Sequence, residues 1–168
     1  RNRPVVVIVN YESAWRDPLG AALLATPWDL VILDESHRIK SPGGKASMYC
    51  ARLGLKAKRK LCLTGTPMPH SPLDVYGQYR FLDPGIFGTS FARFKARYAV
   101  FGGFHNKQVK GYQNQAEMNR RFYSIAFRVE KSEVLDLPEF NHNVRFCELS
   151  AATRKVYEEM EHAFYTEV

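Results

Sequence analysis

Two acids, a hydroxyl and an imidazole stand directly after a short apolar run, at Asp34, Glu35, Ser36 and His37. The four residues before them, 30–33, are all apolar, which is typical of a strand buried on both faces of a parallel sheet. Open α/β sheets bind ligands at the carboxyl ends of such strands. An aspartate there can hold Mg²⁺, and a neighbouring glutamate can activate an attacking water. We therefore expect a magnesium-dependent nucleotide site, with Asp34 as metal ligand and Glu35 as base.

A second motif, Leu63-Thr64-Gly65-Thr66-Pro67, ends the next predicted strand. Its two threonine hydroxyls can hydrogen-bond to the end of a neighbouring strand, where His37 is expected. Such a contact would link the state of a bound nucleotide to movement elsewhere in the molecule. Taken alone, the motif could also be an ordinary turn.

The elements that must position these motifs follow from the apolar patterning. Strands are predicted over 4–9, 30–33 and 59–64, and helices over 17–25 and 45–53 lie between them. This alternation predicts an α/β fold with a parallel sheet and flanking helices.

After residue 70 the pattern becomes largely helical. Helices are predicted over 71–82 and 113–126, a mobile loop over 100–112, a strand over 143–149 and a final helix capped by Ser150. Another amphipathic helix carries Phe91, Phe94 and Tyr98 on one side. Core packing is the favoured explanation of that aromatic stripe, over base stacking.

Charge is unevenly distributed along the chain. The net charge is +7, yet residues 38–60 contain eight basic residues and no acid, and residues 88–132 contain nine basic residues against two acids. Nucleic acid is the commonest partner of such a distribution, although a solvated basic surface remains an equal alternative.

Composition limits the class of protein. The three cysteines are far apart in the sequence, which supports neither a disulfide framework nor a zinc cluster. The chain has no apolar run long enough to span a membrane and no secretory signal. We therefore expect a globular, soluble, intracellular protein with no membrane partner.

The motifs together resemble one family. The box 34–37, the Thr-Gly-Thr-Pro motif and the sequence Phe81-Leu82-Asp83-Pro84 are similar to those of the Swi/Snf family of superfamily-two helicase-like ATPases. Members are DNA-dependent ATPases that translocate on duplex DNA, with ATP and Mg²⁺ bound between two RecA-like lobes. The resemblance implies that Asp34 holds magnesium, that Glu35 activates water, and that His37, Thr64, Gly65 and Thr66 couple hydrolysis to the DNA track.

The same resemblance divides the chain into three parts. Residues 1–82 would be the C-terminal part of a partial RecA-like first lobe, 83–138 a basic helical insertion, and 139–168 a returning strand and helix that lead toward a second lobe of the same parent protein. No Gly-x-x-x-x-Gly-Lys-Ser/Thr sequence occurs in the chain. We therefore expect ATP binding to need other parts of the parent, and this chain alone to be inactive.

The DNA-contacting surface is expected on the insertion, at Arg93, Lys95, Arg97, Lys107 and Lys110. Two alternatives remain open. The chain could be a non-catalytic nucleic-acid-binding module with a degenerate motor fold, or part of a helicase that separates RNA or DNA strands.

Overall fold

A computed structural model of the protein describes residues 4–103, 105, 108–130 and 143–166. The chain divides into two compact units, Arg1–Phe127 and Arg128–Val168. Among the described residues, no helix is long and apolar enough to cross a bilayer. The first unit contains seven described helices and four strands: α1 (Tyr11–Ala14), α2 (Leu19–Ala25), β1 (Leu30–Leu33), α3 (Lys45–Gly54), β2 (Arg59–Cys62), α4 (Val75–Leu82), α5 (Pro84–Phe87), α6 (Phe91–Tyr98), β3 (Ala99–Gly102), β4 (Gln108–Tyr112) and α7 (Gln115–Phe122).

The two central strands, β1 and β2, are parallel neighbours, with Leu30 opposite Arg59 and Leu33 opposite Cys62. Helix α3 forms the connection between them, as parallel pairing requires. Ile39, Cys50 and Phe81 pack with Leu33 against one face of this sheet. The predicted α/β fold with a parallel sheet is therefore confirmed.

The prediction that β1 is buried on both faces is wrong. Only Leu33 of this strand is buried, whereas Leu30 and Ile32 are about half exposed, at 48% and 49%. Leu61 and Leu63 are exposed to a similar degree. Alternate residues of a strand point to opposite faces, so the described chain covers one face of the sheet with helices and leaves the other open.

Two further strand predictions are also wrong. Residues 4–9 have no strand structure, and Val6 and Ile8 are 83% and 93% exposed. Residues 143–149 likewise form no strand, although Ser150 does cap the following helix α8 (Ala151–Thr166), accepting from the Thr153 N–H. A β-branched or alternating sequence favours extended backbone, but a strand needs a hydrogen-bonded neighbour. No described strand lies beside either stretch.

An aromatic core holds the middle of the chain together. Phe94 on α6 lies 5.1 Å from the Tyr76 ring, 5.2 Å from Phe87 and 5.0 Å from Tyr98, measured between ring centroids. Phe94 and Tyr98 are 2% and 1% exposed. The aromatic stripe of α6 therefore packs in the core, as favoured from the sequence, and is not available for stacking on bases.

The stretch predicted as a mobile loop, 100–112, instead contains most of an antiparallel hairpin. Strand β3 pairs with β4, with Ala99 opposite Tyr112 and an irregularity between Val100 and Phe101. Apolar and aromatic residues on both strands provide the cross-strand contacts. The glycines in this stretch led to the prediction of a loop. The region predicted as a helical insertion thus also contains a two-stranded sheet, and its last described helix, α7, is shorter than predicted.

Candidate functional site

The acidic box lies at the carboxyl end of β1. Asp34 and Glu35 are exposed, and the Asp34 Oδ1 atom accepts a 3.0 Å hydrogen bond from the Glu35 N–H. Glu35 has left-handed backbone angles, φ 46° and ψ 49°, and begins the 3₁₀ turn Ser36–Ile39. A non-glycine residue rarely adopts this conformation and does so mostly where surrounding structure holds it. At Glu35 the backbone therefore leaves the extended path of the strand and enters the turn.

Helix α1 braces the box from one side. The Tyr11 hydroxyl donates a 2.7 Å hydrogen bond to the Asp34 carbonyl oxygen, and burial raises the pKa of Tyr11 well above its usual range. Arg38 forms an ion pair with Glu12, and its guanidinium lies 5.7 Å from the Tyr11 ring centroid. These contacts hold the backbone on both sides of the carboxylates, and no spacing in the sequence specifies them.

The box contacts the Thr-Gly-Thr-Pro turn through an imidazole. His37 Nδ1 lies 3.1 Å from Thr64 Oγ1 and 3.2 Å from Glu35 Oε2. Thr64 Oγ1 also accepts a 3.1 Å hydrogen bond from the Thr66 N–H. A proton on Nδ1 can therefore be donated to either the carboxylate or the hydroxyl. The adjacency expected for His37 and Thr64 is present in the structure.

The two other residues of the turn contribute differently. Gly65 and the Thr66 side chain are exposed, and a Cβ added at Gly65 would meet nothing within 4 Å. Thr66 contacts Thr64 through its backbone N–H. The coupling roles of Thr64, Gly65 and Thr66 stay predictions.

A buried amide that the sequence analysis missed connects the same two loops from the interior. Ser36 is fully buried, and its hydroxyl donates a 2.8 Å hydrogen bond to Gln78 Oε1 on α4. Gln78 Nε2 donates to the Pro67 carbonyl oxygen at 2.7 Å. The sequence does contain one clue to Gln78. It is a single amide within a helix whose other residues, such as Tyr76, Tyr79 and Phe81, are mostly apolar.

The chemistry of these side chains fits a magnesium ion. Asp34 and Glu35 offer exposed carboxylate oxygens, and Thr64 and Thr66 offer hydroxyls, all hard oxygen donors of the kind that Mg²⁺ prefers. Mg²⁺ usually retains several waters and takes one or two protein carboxylates together with substrate phosphates. Asp34 is the residue that would hold the ion, and this role stays a prediction.

The five basic residues predicted to contact DNA lie on more than one element. Arg93 and Arg97 lie one turn apart on α6, whereas the Lys95 ammonium lies 5.1 Å from the Phe101 ring centroid. Lys110 is on β4, packed beside Gly102, and Lys107 lies outside the described residues. Contact of these residues with DNA stays a prediction.

Arg97 is held by an internal ion-pair network. Its guanidinium makes a bidentate contact with Glu117, with NH2 2.8 Å from Oε2, and Arg121 Nε lies 2.8 Å from Oε1 of the same carboxylate. The hydrogen bonds from Arg97 are the largest cause of the lowered pKa of Glu117, and the charge of Arg121 lowers it further. Arg93, Arg97 and Arg121 together line a cavity of about 410 Å³ beside the turn 88–90.

Comparison with known proteins agrees with this geometry. The model of the SNF2-related domain family matches residues 1–167. The chain is 30% identical over 149 residues to the DNA repair and recombination protein RAD26 of Saccharomyces cerevisiae, covering 84% of this chain and 14% of that protein. It is 31% identical to the TATA-binding protein-associated factor BTAF1 of Arabidopsis thaliana, covering 94% and 8%, and 30% identical to human DNA excision repair protein ERCC-6, covering 78% and 9%.

A solved structure matches as well. The Sulfolobus solfataricus SWI2/SNF2 ATPase core in complex with dsDNA superposes with a TM-score of 0.59 and 26% identity, covering 92% of this chain and 32% of that one. The chain thus spans a seventh or less of these three curated relatives and about a third of the solved core. It belongs to the SNF2-related domain family and corresponds to part of a Swi2/Snf2 ATPase core with a RecA-like fold.

Proposed function

We propose that this chain provides the magnesium ligand, the catalytic base and part of the DNA surface of an ATP-driven motor that moves on duplex DNA. The observation that carries the proposal is the position of Asp34 and Glu35 at the carboxyl end of a parallel strand, with His37 Nδ1 3.1 Å from Thr64 Oγ1. Catalysis in such motors depends on positioning and charge stabilisation more than on covalent chemistry. A turn braced from α1 and α4 suits that requirement.

Each residue of the box has a separate task in this proposal. Asp34 holds Mg²⁺, which when bound neutralises charge on the phosphates. Glu35 orients the attacking water and accepts its proton. His37 exchanges its Nδ1 hydrogen bond between Glu35 and Thr64, so that the position of the Thr-Gly-Thr-Pro turn affects the base.

The remaining parts of the reaction come from the rest of the parent protein. The chain contains no Gly-x-x-x-x-Gly-Lys-Ser/Thr sequence, so the triphosphate cradle belongs elsewhere, and a second RecA-like lobe of the same parent closes the site. We expect the 168-residue chain alone to hydrolyse no ATP. ATP hydrolysis by this chain alone would contradict the proposal that the rest of the parent protein is needed.

The test uses the full-length protein that contains the chain. Glu35→Gln should lower duplex-stimulated ATP hydrolysis by about a hundredfold or more, because the amide cannot accept the proton, while DNA binding is retained. Glu148→Gln, a change at another exposed glutamate, is the control and should behave as wild type. Stimulation measured with duplex DNA, single strands and RNA distinguishes a duplex translocase from the strand-separating alternative. DNA binding without any ATP hydrolysis would favour the non-catalytic module.

The DNA surface is tested by its salt dependence. Neutralising Arg93, Lys95, Arg97, Lys107 and Lys110 together should weaken DNA binding and reduce the slope of log affinity against log salt by about one for each true phosphate contact. Because Arg97 is engaged by Glu117, we expect Arg93→Gln alone to change the slope more than Arg97→Gln. If the variant with all five substitutions binds DNA with unchanged affinity and salt slope, these residues are merely solvated.

A further inference from the structure

Gln78 occupies a position between the two loops of the site. It is 4% exposed and lies on α4, whose neighbouring residues Tyr76 and Tyr79 are buried in the aromatic core. The backbone of α4 is thereby fixed by packing that is independent of the site. The Gln78 side chain extends from this backbone and can therefore hold both loops in place.

The hydrogen bonds of Gln78 determine how its amide is oriented. The Pro67 carbonyl oxygen, 2.7 Å away, can only accept, so the nitrogen of the amide must face it. The Oε1 atom then faces Ser36, whose hydroxyl donates to it at 2.8 Å. Both polar ends of the side chain are used, and each is bonded to a different loop of the site.

The two loops are therefore joined on two sides. At the surface, His37 contacts Thr64. In the interior, Gln78 joins Ser36, which lies between Glu35 and His37, to Pro67, which directly follows Thr66. The Ser36 N–H also donates to the Leu63 carbonyl oxygen at 2.9 Å, so the backbones of the two loops are in register. A shift of either loop would break a buried hydrogen bond, which is expensive to leave unmade.

We infer that Gln78 is a positioning residue that sets the spacing between the acidic box and the Thr-Gly-Thr-Pro turn, and so makes ATP hydrolysis responsive to DNA. The inference rests on the proposed function. It adds a buried residue of α4 that lies outside both motifs. Its effect is exerted through Ser36 and Pro67 on the residues beside them.

A double-mutant comparison separates positioning from simple stability. Ser36→Ala leaves Gln78 Oε1 buried without its partner, and Gln78→Met removes the hydrogen bonds of the amide to Ser36 and Pro67 together with a longer one, 3.5 Å, to the Asp74 carbonyl oxygen. Combining Ser36→Ala with Gln78→Met replaces both members of the Ser36–Gln78 pair by apolar groups, so neither is left buried without its partner, while the Pro67 carbonyl loses its donor as it does in Gln78→Met alone. Gln113→Met is the matched control, because that amide donates to the Ala96 carbonyl oxygen at 3.4 Å on an exposed surface.

The variants are made in the full-length protein, and the midpoint of thermal unfolding, kcat and the KM for ATP are measured with and without duplex DNA. In Gln78→Met and in the double variant we expect DNA stimulation of kcat to fall by about tenfold while the KM for ATP changes by less than about twofold. The double variant should unfold at a higher temperature than Ser36→Ala, because no amide oxygen is left buried without its partner. Gln113→Met should keep full stimulation.

Two results would overturn the inference. One is a double variant with wild-type stability and wild-type DNA stimulation, since Gln78 would then be only a buried hydrogen-bonding partner. The other is a double variant as unstable as Ser36→Ala, since a loss of stimulation would then follow from lost stability rather than from lost positioning. Wild-type protein without DNA-stimulated ATP hydrolysis would instead refute the proposed function, before any variant is compared.

Discussion

The sheet with its loops and the aromatic core are built in opposite ways. The parallel sheet has two described strands, one open face, and site residues that are exposed at its end. The aromatic core packs the rings of Tyr76, Phe87, Phe94 and Tyr98 at centroid distances of 5–6 Å, with each residue under 9% exposed. The site therefore depends on a few directional hydrogen bonds, and the core depends on area and shape.

Helix α4 belongs to both regions. Phe81 packs with Leu33 under the sheet, whereas Tyr76 and Tyr79 belong to the aromatic core. Gln78 on the same helix bonds the two loops of the site. The comparison shows how exposed, polar loops can be held precisely, because their support is attached to a tightly packed element.

The largest expected effect is on the free energy of unfolding, which should fall more for a change in the aromatic core than for one on the open sheet face. In the 168-residue chain, Phe94→Ala should lower the free energy of unfolding by about 3–5 kcal/mol, because it leaves a cavity among four rings. Ile32→Ala removes a half-exposed side chain from the open sheet face and should cost under about 1.5 kcal/mol. Urea unfolding measures both changes. Equal losses would show that the sheet face is as well covered as the aromatic core.

Thiol reactivity provides the next test of the same difference. Burial raises the pKa of Cys50 to about 11 and that of Cys62 to about 12, under the covered face of the sheet. Cys147, in the second unit, is exposed. At pH 7.5 a thiol reagent should modify Cys147 at least about a hundredfold faster than the two others, because reaction needs an accessible thiolate. Cys147→Ser should abolish the fast phase, and a fast phase of more than one thiol would contradict the burial of this region.

The smallest expected effect concerns acid sensitivity on the polar rim of the aromatic core. Hydrogen bonds from Arg97 and Tyr98 lower the folded-state pKa of Glu117. Its contribution to stability is therefore present above the unfolded pKa and is lost as the pH falls through the folded pKa. The unfolding temperature of Glu117→Gln should lie below that of wild type at pH 7, and the difference should shrink toward pH 3. A constant difference across this range would mean that Glu117 acts through packing alone, and Glu148→Gln serves as the control.

Local sequence features determined much of the architecture. The apolar run before Asp34 and the spacing of Phe91, Phe94 and Tyr98 each express a short-range preference, and both elements are present in the structure. The family motifs likewise lie in short stretches, which is why the resemblance was visible without a structure.

The tertiary structure decided the elements that depend on distant partners. Residues 4–9 and 143–149 have strand-like sequences but no neighbouring strand among the described residues, whereas the glycine-containing stretch 100–112 found a partner in its own hairpin. Pairing is a long-range event that local preference does not specify.

The site divides in the same way. The residue types of the acidic box and the Thr-Gly-Thr-Pro turn predicted a nucleotide site, and the order of strands predicted the contact of His37 with Thr64 that the structure contains. The sequence did not determine that Arg97 would be engaged by Glu117, or that Gln78 would bond Ser36 from 42 residues away. Hydrogen bonds between residues so distant in the chain depend on how helices pack on the sheet, and that packing exists only in the folded molecule.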